Sequence, residues 1–411
     1  MTGDAVEEPA LGAEQSIWRT MATLGLLWLA GMSLRLTLLA VAPLLPLIHR
    51  DLGLSEAEIG TLGSLPSLLL AFAAIPGAAL IARFGARPTL LAGLVLTALG
   101  CAARGAAPGI LSLYAATVAM GAGVSIMQPA MPRLVRDWMP DRIGFATAVY
   151  SNGLLVAEIL AVALAIPVVL PLAGGSWRFS LVLWAAPIVA TAALVAAYAP
   201  RAPGASRTRA AGAGLWWPNW RDPLIWRLGF MLGGVNTVYF SANTFLPDYL
   251  HGIGRPEMVG DVLTGLNAGQ LPGSLLMIAL AGRLGRQRAT YLAMGGLIAA
   301  GIAGILLSRG NGIIWWAALV GGANAVLLIL MLALPALLGA EHDVHRISAA
   351  MFTISYPCAV VLPILGGFVW DLTGISVLAF APAAVGAIAI LALAPGLNLQ
   401  RRAQHDSEGT L

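Results

Sequence analysis

Lysine is missing from this chain: all 23 of its basic residues are arginine. Lysine Schiff-base chemistry is therefore excluded, and every permanent cation is a planar donor suited to carboxylates and other oxyanions. Charge of either sign is scarce, with Asp, Glu, Lys and Arg at 10% against 59% hydrophobic residues, which excludes a soluble core of ordinary composition. Cysteine is limited to Cys101 and Cys358, far apart in sequence and inside or at the edge of apolar runs. A disulfide framework or a metal site has no support from that spacing, and the two read as packing residues. His49, His251, His342, His345 and His405 lie at run ends, in loops or in the tail, so no hydrolytic triad is expected. The chain reads as a non-enzyme with no catalytic residue, metal or cofactor.

What it has in abundance is apolar sequence, with a mean hydropathy of +0.84. A bilayer-spanning helix needs about 20 mostly apolar residues. Twelve such runs occur, at 21–48, 57–81, 88–107, 109–132, 143–170, 179–199, 225–249, 258–281, 289–308, 312–338, 347–369 and 375–395. The fold expected is all-α, with twelve transmembrane helices. The first run is too long for the apolar region of a cleaved signal and follows Asp4, Glu7, Glu8 and Glu14, so it is expected to stay in the mature protein. Gly121-Ala122-Gly123 and Gly233-Gly234 lie within runs, where small residues serve helix packing and not phosphate binding. Pro129 with Pro132, and Pro357 with Pro363, are expected to supply kinks.

Cytoplasmic loops keep an excess of Lys and Arg near span ends. With the N-terminus inside, seventeen arginines are cytoplasmic and five, Arg50, Arg104, Arg178, Arg255 and Arg309, are outside. Both termini are thus expected on the cytoplasmic side of the inner (plasma) membrane. The net charge of +4 is then a topology signal and not a sign of nucleic-acid binding.

The chain also repeats itself at an offset of about 200 residues. Arg83-Phe84-Gly85 returns as Arg283-Leu284-Gly285, and Pro46, Gly53 and Glu56 return as Pro247, Gly254 and Glu257. Two pseudo-symmetric six-helix bundles follow, residues 21–199 and 224–396, flanked by cytoplasmic tails 1–20 and 397–411. Residues 200–223 join them as a cytoplasmic linker, with Trp216, Trp217 and Trp220 expected at the membrane interface. Internal repeats of this kind mark secondary transporters that rock around a site near the midplane.

Arg35 lies near the middle of the first run, about 20 Å from its start, beyond the reach of a side chain snorkelling to the interface. A charge at that depth costs at least ~2.5–3.5 kcal/mol on insertion scales and normally faces a cavity, a partner or a ligand. Two readings stay open: contact with a small anionic substrate, or a structural pair with Glu158, the only acid deep inside a span. Low dielectric disfavours the charged form of a carboxyl, which suits Glu158 to proton coupling. Asn236, Tyr239 and Asn243 share one face of the seventh span, and Asn267 and Gln270 share one face of the eighth. With Gln128 in the fourth span they are the expected polar lining of a cavity, the alternative for each being hydrogen-bonded glue between helices.

These features together resemble a major facilitator superfamily transporter over essentially the whole chain. The superfamily's loop after the second span survives in part as Arg83-Phe84-Gly85-Ala86-Arg87, with Ala82 where an acid is usual. The resemblance makes Arg83, Gly85, Arg87, Arg283 and Gly285 expected gate or loop residues, with Asp137 or Asp141 as substitute acids. Gly31-Met32-Ser33-Leu34-Arg35, Ala42-Pro43-Leu44-Leu45-Pro46 and the stretch Gly121 to Pro132 resemble the cyanate and nitroimidazole permease family, as do Gly234-Val235-Asn236, Leu246-Pro247 and Gly269-Gln270. Ser33 and Leu36 stand where that family commonly has Asn and Pro. The resemblance implies alternating-access transport of a small anionic or strongly polar solute, with or without protons, by a monomer in the lipid bilayer. A proton-antiport exporter of drugs or metabolites centred on Glu158 is the first alternative, and a membrane sensor another. Organic anion symporters share a first-span arginine, but their preceding acid is here Leu34.

Overall fold

The computed structural model describes residues 8–200, 216–340, 342–397 and 399. Parts of the expected tails and linker lie outside these residues, with Arg201, Arg207, Arg209, Arg401 and Arg402 of the arginine tally. Among the described residues there is no strand, and the helices group into twelve crossings. They are α1 (Glu8–Ser33, Leu36–Leu39 and Leu45–Leu52), α2 (Glu56–Phe72 and Ala74–Phe84), α3 (Ala86–Gly105) and α4 (Ile110–Met127 and Ala130–Trp138). Then come α5 (Ile143–Leu164), α6 (Trp177–Tyr198), α7 (Pro223–Gly252), α8 (Val259–Ala268 and Gln270–Leu284) and α9 (Arg288–Leu307). The last three are α10 (Gly312–Leu338), α11 (Val344–Thr373) and α12 (Ala381–Leu393). Ten crossings contain helix long and apolar enough to span a membrane. The other two are α2, which is split, and α7, whose 30 residues include Asn236, Tyr239 and Asn243.

The helices form two bundles of six. In the first, α1 packs on α5 and α3 packs on α4 and α6; in the second, α7 packs on α11 and α12, and α10 on α8 and α9. The bundles meet where α5 lies against α8 and α10, and where α2 lies against α11. The internal duplication is visible in hydrogen bonding: Arg87, at the start of α3, donates to the Ala196 carbonyl at the end of α6 (2.8 Å). Its counterpart one repeat later, Arg288 at the start of α9, donates to the Leu397 carbonyl beyond α12 (2.6 Å). Each is a cation on the unpaired carbonyls of a helix end.

Several crossings are interrupted four residues before a proline. A proline cannot donate to the carbonyl four residues earlier, and its ring crowds that carbonyl. Leu36–Leu39 ends four residues before Pro43, and the first piece of α2 ends four before Pro76. The interruption of α4 at Gln128 precedes Pro132 in the same way, and the end of Val259–Ala268 precedes Pro272. Pro357 and Pro363 differ, because α11 runs unbroken through both. After its first turn-off, the chain re-enters the bundle at α2 through Ser55, whose hydroxyl accepts from the Glu58 amide while Glu58 Oε2 accepts from the Ser55 amide (2.8 Å).

One expectation about the loops is corrected. Arg104, counted among the five outer arginines, is not free at that surface: α3 continues through Gly105 and Arg104 is wholly buried within the helix. That leaves Arg50, Arg178, Arg255 and Arg309 at that end of the bundles. At the opposite end, Trp216, Trp217, Trp220, Trp226 and Phe230 form a chain of ring contacts 5.3 to 6.4 Å apart.

The approach of α1 to α5 decides what the central side chains can reach. A Cβ at Gly31 would stand 2.0 Å from the Tyr150 carbonyl oxygen, and one at Gly153 would stand 2.3 Å from that of Trp28. Only glycine permits these backbones to touch. Gly31→Ala is therefore expected to force the helices apart and destabilise the protein by at least ~1–3 kcal/mol, the usual range for overpacking. Gly25→Ala, with nothing within 4 Å of the added carbon, is expected to leave the thermal midpoint in detergent unchanged.

Candidate functional site between the bundles

Arg35 occupies the break in α1, at the N-cap of Leu36–Leu39, where the chain leaves regular helix. Its Nε lies 3.1 Å from Glu158 Oε1 on α5, an ion-pair distance at an angle that leaves the N–H itself without a hydrogen-bond acceptor. Its Nη2 donates to the Tyr356 hydroxyl on α11 at 3.5 Å, a long contact across the two bundles. Both members of the pair keep 12% of their side-chain surface exposed.

A polar network extends from this pair into both bundles. Gln128, at the break in α4, holds the Tyr356 hydroxyl through its amide (2.9 Å). On the other side, the Tyr239 hydroxyl of α7 lies 3.4 Å from Glu158 Oε2 and 3.0 Å from Asn267 Oδ1, and its single proton serves one acceptor at a time. Asn267 Nδ2 donates to Asn243 Oδ1 (3.1 Å), Asn243 Nδ2 donates to the Tyr239 carbonyl (2.9 Å), and Gln270 Nε2 donates to Asn267 Oδ1 (3.3 Å). Three residues come from the first bundle (Arg35, Gln128, Glu158) and five from the second. A second chain crosses nearby: Trp28 Nε1 donates to Asn152 Oδ1 (3.0 Å), and Asn152 Nδ2 donates to Ser274 Oγ on α8 (3.1 Å).

The structure thus gathers Arg35, Gln128, Glu158, Tyr239, Asn243, Asn267 and Gln270 into one network. Asn236 is placed differently. Its amide donates to Ser355 Oγ at 2.7 Å, joining α7 to α11 inside the second bundle, which is the packing role. Arg35 also departs from the picture of a free cation waiting for an anion, because Glu158 already neutralises it. An isolated guanidinium in low dielectric is far less stable than a paired one, and the acid within reach takes the position. Tyr356 is the member that the sequence pattern does not single out: it is one more neutral hydroxyl in a span, with nothing in the spacing to place it opposite Arg35.

The residues expected at the gate or its loops lie elsewhere. Arg83 is exposed, its guanidinium 5.3 Å from the Phe84 ring centroid, and Arg283 is exposed as well. Arg87 is engaged inside the first bundle on α6. Gly85 has a positive φ of 92° that starts α3, whereas Gly285 has φ −63° and accepts from the Tyr291 hydroxyl (3.0 Å). Asp137 pairs with Arg133 on its own helix (2.9 Å), and Asp141 is exposed. The bundles are joined at this end by Arg136 of α4, whose Nη1 donates to the Ala336 carbonyl (3.1 Å) and, closely, to the Gly339 carbonyl at the end of α10.

A family model described as Major Facilitator Superfamily matches residues 27–361. The 2-nitroimidazole transporter of Escherichia coli (strain K12) is 29% identical over 363 residues, 87% of this chain and 90% of the relative. The cyanate transport protein CynX of the same organism is 27% identical over 268 residues, 65% of this chain and 68% of the relative. Among solved structures, the Major Facilitator Superfamily transporter FucP in the outward conformation superposes with a TM-score of 0.70 at 16% identity, covering 91% of this chain and 98% of that one.

Hydrogen bonds from a charged donor are each worth about 1.5–3 kcal/mol when their loss leaves the partner unsatisfied. Arg136→Ala is accordingly expected to lower the thermal midpoint measurably, while Arg283→Ala, at an exposed position, changes stability by no more than ~0.5 kcal/mol.

Proposed function

This chain belongs to the Major Facilitator Superfamily and is a multi-pass membrane transporter, not an enzyme; from that premise we propose that it moves a small anionic or strongly polar solute, of the size of cyanate or a nitroimidazole, by alternating access. The observation that carries the reading is the Arg35–Glu158 pair, partly accessible and held between bundles by tyrosines of the second. Relatives named for 2-nitroimidazole and cyanate support the same substrate range.

The pair suggests how a proton takes part. Protonation of Glu158 ends the ion pair and leaves Arg35 uncompensated in a low-dielectric site. An anion then supplies the missing charge, so proton and anion enter together and the site stays neutral. The loaded site differs from the empty one in which bundle Arg35 answers to, and a ligand shifts a conformational equilibrium only through such differential stabilisation. Tyr239, Asn243, Asn267 and Gln270 offer hydrogen bonds to the solute from the second bundle, and Gln128 with Tyr356 closes the opposite side. Both termini are cytoplasmic in this reading: twelve described arginines lie at the end bearing Arg83 and Arg136, against four at the other. A monomer suffices for this mechanism.

Uptake of labelled cyanate into proteoliposomes tests it. Wild type is expected to respond to an outside-acid gradient, and Glu158→Gln to keep binding while losing that response. Arg35→Ala is expected to lose uptake by roughly a hundredfold, the scale of removing one member of a buried charge pair. Equal thermal stabilisation of wild type and Arg35→Ala by neutral or cationic solutes would reject the anion and favour the exporter reading.

A further inference from the structure

The first bundle holds another intramembrane guanidinium, one that touches no member of the central network. Arg104, in the last turn of α3, is wholly buried. Its Nη1 donates to the Thr37 carbonyl at 3.2 Å and lies 3.1 Å from Met120 Sδ on α4. Its Nε and Nη2 meet no protein acceptor, and no acid pairs with it among the described residues. A cation kept there without a carboxylate is expensive to hold, and an ionisable residue inside a membrane is by default a functional one.

What Thr37 belongs to supplies the reason. It sits in the four-residue helix Leu36–Leu39, whose N-cap is Arg35. A helix that short cannot satisfy its own terminal carbonyls, because each needs a donor four residues further on. Pro43 has removed the donor for Leu39, and the chain turns away into Ala42–Leu44. The carbonyl of Thr37 is met from outside, by a charged donor on a neighbouring helix. Such charge-assisted bonds are about twice as strong as neutral ones. The planar guanidinium also fixes direction, which an ammonium on a flexible stem does not.

We propose that Arg104 is a positioning residue of the transport site: by holding the Thr37 carbonyl it fixes the short helix of α1, and through that helix's N-cap it sets where the Arg35 side chain points. This rests on Arg35 as the anion-binding group. Arg104 itself does not touch the solute. Leu36–Leu39 otherwise packs on α5 and α6. Arg104 adds the tie to α3, so that the break in α1 is held from three helices and Arg35 meets Glu158 and Tyr356 in a set geometry.

Two variants and two readouts test it. Arg104→Met has similar reach and no donor, and replacing a buried charge by an apolar side chain need not weaken the fold; Arg104→Lys keeps one charged donor. In Arg104→Met, hydrogen–deuterium exchange over residues 34–41 is expected to accelerate with the rest of the chain unchanged. Its half-saturating cyanate concentration is expected to rise about tenfold at unchanged maximal rate, the scale of one charge-assisted hydrogen bond. Arg104→Lys should fall between the variant and wild type on both measures. Unchanged exchange over 34–41 overturns the proposal, as does a lowered thermal midpoint in both variants with half-saturation unmoved. Should wild type and Arg35→Ala take up cyanate equally poorly, the substrate class is what has failed, and exchange over 34–41 alone then decides on Arg104.

Discussion

A cation and an acid that meet in the middle of a membrane protein are held at least cost as a neutral unit, and the central network of this structure is arranged around that constraint. Desolvating either charge costs several kcal/mol, which is offset only when the partner is close and the remaining polar atoms are met. Arg35 and Glu158 come from different helices, α1 and α5, and their encounter depends on glycines that let those backbones touch. The tyrosines around them come from the other bundle. Any rearrangement of the bundles therefore changes what the pair is bonded to, and any change in the pair alters which arrangement is favoured. A buried ion pair is weak evidence for stability, but at such a junction it is a sensible place to register a ligand.

The backbone contributes as much as the side chains. Interruptions before Pro43, Pro76, Pro132 and Pro272 release carbonyls and let the chain deviate within the crossings; the break before Pro132 bears Gln128 of the central network, and Arg35 lies at a separate break in α1, at the N-cap of Leu36–Leu39. Non-helical backbone is tolerated at membrane depth only where protein or water meets its polar groups. Arg104 on the Thr37 carbonyl is such a partner. The same device recurs at the helix ends, where Arg87 and Arg288 meet carbonyls of α6 and of the segment after α12.

Much of this was legible beforehand, and the boundary between what was and was not has a physical origin. Apolar run length reports span number directly, because the bilayer sets a minimum helix length, so twelve crossings could be counted from composition alone. Helical period placed Tyr239 with Asn243 and Asn267 with Gln270, since residues three and four apart share a face. Depth along a run marked Arg35 and Glu158 as unusual. Which neighbour a face meets is a different kind of information. Asn236 shares the face of Tyr239 by spacing, yet Ser355 captures it within the bundle. Tyr356 stood out from other span hydroxyls only once α11 was seen beside α1 and α4. Arg104 falls within the run at 88–107, and its place in the outer tally rested on charge alone, which says nothing of the carbonyl it meets. Partners that are backbone carbonyls leave no residue-type trace at all, which is why Arg87, Arg104 and Arg136 were placed by charge and not by contact.

The tie between Arg136 and the end of α10 has an evolutionary asymmetry. Its acceptors are the carbonyls of Ala336 and Gly339, groups that every amino acid carries. Substitution on that side can alter shape but cannot delete the acceptor, so one half of the molecule is free to drift while the clasp persists. Only the arginine is written in the genetic code. A paired carboxylate would have required selection at two positions of the chain; this clasp between the bundles requires it at one.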